Sequence, residues 1–263
     1  MSARKISEDA DAIHDLVKNC LRCFAVLAAF LFASSLHAQE PRSAEMKLLL
    51  QPNQVRTAVT ALQAGRKTRG LVYFYDTPAL DLLSKGLILR FREANGIDLT
   101  TKYRPLSGQK LAGPSNRREH FKCEADLNDG VVTQSFSLQK TLFAVRAPET
   151  GENLFHLLSK GQKELIAESK VPIDWQLVKR IAEIRSAQWK VPAKQPLGKV
   201  SMELWEWPTG SILELSTRVP SDAAHAADVA LRELATKNGL ALSTNQEPKT
   251  GIVLREITAP HRQ

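Results

Sequence analysis

Charged and apolar side chains alternate residue by residue in short runs along most of this 263-residue chain. In Ala44–Leu50, Glu45 and Lys47 share one face, and Met46 and Leu48 share the other. In Leu87–Arg92 the pair is Arg90 and Arg92, set against Leu87, Leu89 and Phe91. Asp98–Pro105 places Lys102 and Arg104 together. From Arg118 to Leu127 the alternation is strict, with Arg118, His120, Lys122, Glu124 and Asp126 opposite Phe121, Cys123, Ala125 and Leu127. Ile184–Val191 begins beside a Glu183/Arg185 pair, and Ser211–Val219 sets Glu214, Ser216 and Arg218 against Leu213, Leu215 and Val219. A period of two predicts half-buried strands, because successive side chains leave a strand on opposite faces.

The sharpest of these runs is YFYDTPALDLLSKGLILRFR, Tyr73–Arg92. Aromatic Tyr73–Tyr75 predicts a strand, Thr77-Pro78 a helix start, and Gly86 its stop before the next strand. Helices are also expected over Pro52–Ala64, over Asn153–Ala167 and over Ser221–Lys237, the last capped by Ser221 and ended by Asn238-Gly239. Pro172–Ile181 reads as a helical turn. Val131–Val145 has mixed patterning that fits helix or strand. Lys199–Trp207 and Ser211–Val219 form a hairpin about Pro208-Thr209-Gly210. The tail from Gln246 carries Lys249, Arg255 and Glu256 and gives no clear element.

The formal charge is +8. Residues 1–38 hold four basic side chains (Arg4, Lys5, Lys18, Arg22) and four acidic ones (Glu8, Asp9, Asp11, Asp15), so the whole excess falls on the remainder. Such an excess attracts polyanions without choosing among them. Cys20–Ala38, CLRCFAVLAAFLFASSLHA, has the grammar of a secretory signal, with cleavage expected after Ala38. The organisation expected is a signal over residues 1–38 and one domain over residues 39–263, in a periplasmic or secreted protein. A start downstream of Met1 and an uncleaved anchor are alternatives. After cleavage only Cys123 remains, so no internal disulfide can form.

The charged faces have two readings. In an open sheet they are wet. In a closed barrel with its apolar faces under the helices, they line a channel. That channel would hold Lys47, Arg90, Arg92, Lys102, Arg104, Arg118, Lys122, Arg185 and Arg218, with Glu45, Glu124, Asp126, Glu203 and Glu214 as its acids. Buried like charges need a neutralising partner. A polyphosphate with a divalent metal supplies one, since cations grip phosphate oxygens and carboxylates hold the metal. There is no phosphate-cradling GxxxxGK[ST] loop and no Ser-His-Asp grouping at a recognisable spacing. Aromatic residues make up 6% of the chain and no nucleic-acid module is present, so no specific nucleic-acid partner is expected. No membrane contact is expected after signal cleavage.

Over about Ala44 to Lys249 the chain resembles the CYTH, or triphosphate tunnel metalloenzyme, superfamily. Tyr73–Arg92 is similar to the family's YFDTP…L…G..LR.R segment, and Leu99–Lys102 to its L-T-x-K strand. Met202–Val219 resembles the closing hairpin, with Glu203 at a usual aspartate and Glu214 opening the terminal E-x-E. The resemblance implies an α+β fold, a closed eight-stranded antiparallel barrel with a charged interior, flanked by helices. It implies Mg2+- or Mn2+-dependent hydrolysis of triphosphate or polyphosphate. Glu45, Glu203 and Glu214 would hold the metal, Arg90, Arg92, Lys102, Arg104 and Lys122 the phosphates, and Lys47 and Arg185 the developing charge. Two acids of the family pattern are absent. Ser43 stands at the first acid of E-x-E-x-K, and Ser216 at the second acid of the late E-x-E. Losing anionic ligands weakens metal binding more than phosphate binding. The alternative is therefore a non-catalytic polyphosphate or polyanion binder with a decayed metal site.

Overall fold

The alternating runs close on one another. A computed structural model of the chain describes residues 41–106, 121–128 and 130–259. The expected signal, and Arg118, Glu119 and His120, lie outside these residues. Among the described residues there are nine strands: β1 Ser43–Leu50, β2 Thr68–Asp76, β3 Leu87–Ala94, β4 Gly96–Tyr103, β5 Phe121–Asn128, β6 Val131–Leu142, β7 Lys179–Val191, β8 Lys199–Trp207 and β9 Gly210–Pro220. They form a closed barrel in the order β1-β5-β6-β4-β3-β2-β7-β8-β9.

The barrel and the charged channel agree with expectation, but the strand count and the all-antiparallel pairing do not. The ninth strand is β6, the stretch whose patterning fitted helix or strand. It pairs along its length with β4 and β5. An odd number of strands cannot close with every neighbour antiparallel. One seam must be parallel, and here it is β1 with β5, where Glu45 lies beside Asp126.

Among the described residues six α-helices accompany the strands: α1 Val55–Ala61, α2 Asp81–Ser84, α3 Gly151–Leu157, α4 Lys160–Ser169, α5 Ala224–Lys237 and α6 Lys249–Thr258. On one side Leu48, Leu215 and Met202 face outward and pack with Ala58 of α1 and with Ala227 and Leu231 of α5. On the other, Leu89, Phe91, Leu99 and Phe136 pack with Leu154 of α3 and Leu165 of α4. The expected helix over Asn153–Ala167 is split in two. Leu158 is extended, and Ser159 starts α4 with a reciprocal capping box to Gln162. Gln162 is fully buried and also donates to the Leu99 and Leu138 carbonyls, fixing α4 to β4 and β6.

The helix start expected at Thr77 is shared with its neighbour: the Thr77 hydroxyl accepts from the amide of Asp81, the first residue of the short helix that ends at Ser84. The buried Asp76 carboxylate accepts from the Thr77, Leu82 and Leu83 amides. Ser221 does not cap α5; its hydroxyl donates to the Pro41 carbonyl. Gly86 does stop α2, at φ +80°, and a Cβ there would meet the Arg104 carbonyl oxygen at 1.9 Å. Only glycine allows that approach, which anchors Arg104 just beyond β4.

The interior has two ends of different character. Val253 and Leu254 of α6 pack with Val72, Phe74, Ile88, Ile184, Trp205, Trp207 and Ile212, making an apolar plug. The charged residues occupy the rest.

Candidate functional site

Strand parity selects the side chains that face inward. On β1 these are Ser43, Glu45 and Lys47, and β5 contributes Glu124 and Asp126 at the same levels. Parity also brings Arg90 and Arg92 of β3 opposite Thr100 and Asp98 of β4. Asp126 is the centre of the cationic side. It is 0% exposed, and three cations meet it: Lys47 at 2.9 Å, Lys102 at 2.7 Å and Arg104 at 3.0 Å. Lys47 also bridges to Glu45 at 2.8 Å. Arg218 lies 3.3 Å from Glu45 and 2.7 Å from Glu124.

These contacts set the charge states. Burial would raise the Asp126 carboxyl, but Lys47, Lys102 and Arg104 hold it far below the usual carboxylate range. Burial would likewise raise Glu45, but Lys47, Lys102 and Arg218 hold it at about 2. Lys102 moves the other way. Burial, with Arg104 and Lys47 beside it, pushes its ammonium down to about 7 despite Asp126 and Glu45. One carboxylate shared by three cations leaves a local positive surplus, and Lys102 carries that strain.

Arg90 adds to the surplus. Its guanidinium donates to Thr100 Oγ1 at 3.3 Å and stands 3.9 Å from Asp98. Its Nε is buried without a hydrogen-bond partner. Burial and the adjacent Arg92 lower its proton affinity. Arg92 is instead bound to Asp98 at 2.7 Å.

The opposite side, on β8 and β9, is organised around a cation. Glu203 and Glu214 are direct register partners. The ammonium of Lys249, the first residue of α6, ion-pairs with both, at 2.7 Å from Glu214. It also stands 4.3 Å from the centre of the Trp205 ring. Burial opposes both charges. Lys249 nevertheless lowers the Glu203 carboxyl, and the two glutamates raise the Lys249 ammonium.

Between the two sides is a cavity of about 130 Å3. Its polar lining includes Lys47, Arg90, Lys102, Arg104 and Lys249, with Glu45, Glu214, Thr100 and Thr250. A wider groove of about 470 Å3, lined by Asn128, Val131, Thr133 and residues 244–248, contains no cation. It is not suited to an anion.

Of the residues expected at the site, Glu45, Lys47, Arg90, Lys102, Arg104 and Glu214 line the cavity. Glu203 does not line it and is paired with Lys249, which does. Arg92 faces inward but is neutralised by Asp98. Lys122 shares the inward register of β5 and is solvent-exposed. Arg185 requires correction. It is exposed on the outer face, because its neighbour Ile184 turns inward into the apolar plug.

The proposed metal ligands do not come together as a ligand set. Among the described residues no three His, Cys, Asp or Glu side chains are grouped to hold an ion. Glu45 is engaged by Lys47 and Arg218, and Glu203 and Glu214 by Lys249. Hard divalent ions need several free oxygen donors, so this donor set does not fit Mg2+ or Mn2+. Sequence reasoning missed Asp98, Thr100, Trp205 and Lys249. Parity with Lys102 and Arg104 would have found the first two. No local pattern marks Lys249.

Sequence comparison finds no matching protein family and no matching curated protein. Structural comparison finds clear neighbours. A Hippeastrum protein, a proposed adenylyl cyclase reported to have a dominant triphosphatase activity, aligns with a TM-score of 0.57 at 17% identity, over 81% of this chain and 95% of that one. A proposed adenylate cyclase from Bacillus halodurans aligns with a TM-score of 0.53 at 13% identity, over 80% and 98% of the two chains. Both are CYTH-like proteins. The closed barrel, its inward-facing charges and these neighbours together show that the chain has the CYTH, or triphosphate tunnel, fold.

Proposed function

We propose that this chain binds triphosphate or short polyphosphate in its tunnel and does not hydrolyse it. The observation that carries this reading is the cation surplus at the cavity: Lys47, Lys102 and Arg104 share Asp126, and Arg90 offers a buried, unpartnered Nε–H beside them. A phosphate chain would complete this set. Its oxygens accept charge-assisted hydrogen bonds from Arg and Lys, and its charge offsets the surplus. Hydrolysis asks for more, namely a metal or base to activate water. Ser43 and Ser216 stand where acids would help hold a metal, and Glu45, Glu203 and Glu214 are already engaged by cations of the chain.

The second reading is a metal-dependent triphosphatase. It draws on the triphosphatase activity reported for the Hippeastrum neighbour. The two separate in one experiment: triphosphate is titrated calorimetrically, and phosphate release is followed with Mg2+ and with Mn2+. Binding without release is expected, and metal-stimulated release abolished by E45Q would overturn the non-catalytic reading. We also propose export, on the Cys20–Ala38 pattern alone. Cell fractionation that left the full-length chain in the cytoplasm would contradict it.

A further inference from the structure

The acidic side of the tunnel contains a problem that the chain solves with its own side chain. Glu203 and Glu214 face each other directly across the β8–β9 ladder. Like charges at such a position repel, and both side chains are largely buried, with side-chain exposures of 18% and 5%. A cation must lie between them. Lys249 fills that place, with its side chain 12% exposed and its ammonium over the Trp205 ring.

Two further observations show that this placement is built rather than incidental. Lys249 is the first residue of the ten-residue helix α6. That is the helix end at which a positive charge is disfavoured, because the backbone N–H groups already concentrate positive potential there. The gain must come from the two carboxylates instead. The helix itself is fixed by Val253 and Leu254, both buried among inward-facing residues of the barrel. The ammonium is therefore presented from a rigid, anchored support.

We propose that Lys249 is a tethered counter-cation that replaces a divalent ion on the acidic wall, so that folding is independent of metal. This goes beyond the anion-binding reading and does not depend on it, since its test needs no phosphate ligand. A side chain already attached has no translational entropy left to lose, so free Mn2+ competes poorly for the same oxygens. Removing the ammonium should leave the two opposed glutamates without a partner. The protein would then lose stability, and Mn2+ would bind in place of the missing charge and restore it.

The experiment measures melting temperature with EDTA and with millimolar Mn2+ for the full chain and for K249M, K249A and K249R, with folding checked by circular dichroism. Wild type and K249R should melt at the same temperature under both conditions. K249M retains the methylene stem against Trp205. It should melt lower in EDTA and recover with Mn2+, and adding E214Q should abolish that recovery. Manganese binding followed by electron paramagnetic resonance should show one ion per chain for K249M, at least tenfold tighter than for wild type. If K249A does not fold, K249M is read in its place. Equal Mn2+ affinity for wild type and folded K249M would overturn the proposal, as would a K249M protein indifferent to Mn2+.

Discussion

The two charged walls of the tunnel are built alike with the sign reversed. On β1, β5, and β4 with Arg104 just beyond its end, one carboxylate, Asp126, is shared by three cations. On β8 and β9, one ammonium, Lys249, is shared by two carboxylates. Each hub leaves a surplus of the outer sign. The first surplus opens onto a cavity and has a further unsatisfied donor in Arg90. The second is held between a helix terminus and an indole ring. The difference teaches that a tunnel can leave one charged wall open to a cavity while neutralising much of the opposite wall with its own side chain. Counting charged residues would not distinguish the two cases; the identity of each hub does.

The largest expected effect lies at the cationic hub. D126A leaves buried cations uncompensated and should cost about 3–5 kcal/mol in chemical denaturation. Triphosphate should recover part of that loss, because it supplies the missing negative charge. A variant that is fully stable without added anion would show that the three cations do not depend on Asp126.

R90A should act on binding rather than on folding. Arg90 makes one long hydrogen bond to the chain, so its removal should leave the melting temperature nearly unchanged. Loss of charge-assisted bonds to the ligand should weaken triphosphate by about 1.5–3 kcal/mol, roughly ten- to a hundredfold in Kd by calorimetry. An unchanged Kd would remove Arg90 from the site.

Lys102 sharpens the comparison through pH. Its ammonium, pushed down to about 7 by burial with Arg104 and Lys47 nearby, loses its proton as pH rises past that value. Only the protonated form attracts phosphate, so affinity should fall across neutrality, by at most about tenfold per pH unit for one coupled proton. K102M should bind more weakly and with a flatter pH profile. The sign for stability is opposite. Between about 7 and the ordinary lysine value the unfolded chain holds the extra proton, so this group's contribution to the free protein's stability rises with pH. Titration of the wild type and K102M, by calorimetry and by denaturation, checks both signs. The smallest effect is expected for R185A. An exposed residue on the outer face should change stability by no more than about 0.5 kcal/mol and leave the triphosphate Kd as it is.

Arg185 also shows what the sequence could and could not reveal. Period two assigned β1, β3, β4 and β9 and the partners on each face, because strand geometry alone fixes that pattern. Parity does not say which face is inside. The rule that charges line this interior holds over most of the barrel and inverts where α6 supplies an apolar plug. There Ile184 turns in and Arg185 turns out. The plug could not be read locally, because the apolar residues 252–254 sit in a short tail and acquire a partner only when the barrel closes. The β6 strand was ambiguous for a related reason. Its inward residues, including Ser137, Gln139 and Thr141, are polar but uncharged, so its alternation is weak. Ser43 and Ser216 were legible as departures from a motif. Their consequence was not, since it depends on Lys249 arriving from the other end of the chain.

The function proposed for this tunnel is to hold a phosphate chain with its own cations and without a divalent ion. The most direct test is the triphosphate Kd of the wild-type protein by calorimetry, once in EDTA and once in saturating Mg2+, corrected for metal binding to free triphosphate. Binding in EDTA is expected, with an intrinsic Kd that Mg2+ does not tighten. Binding that appears only when Mg2+ is present would contradict it.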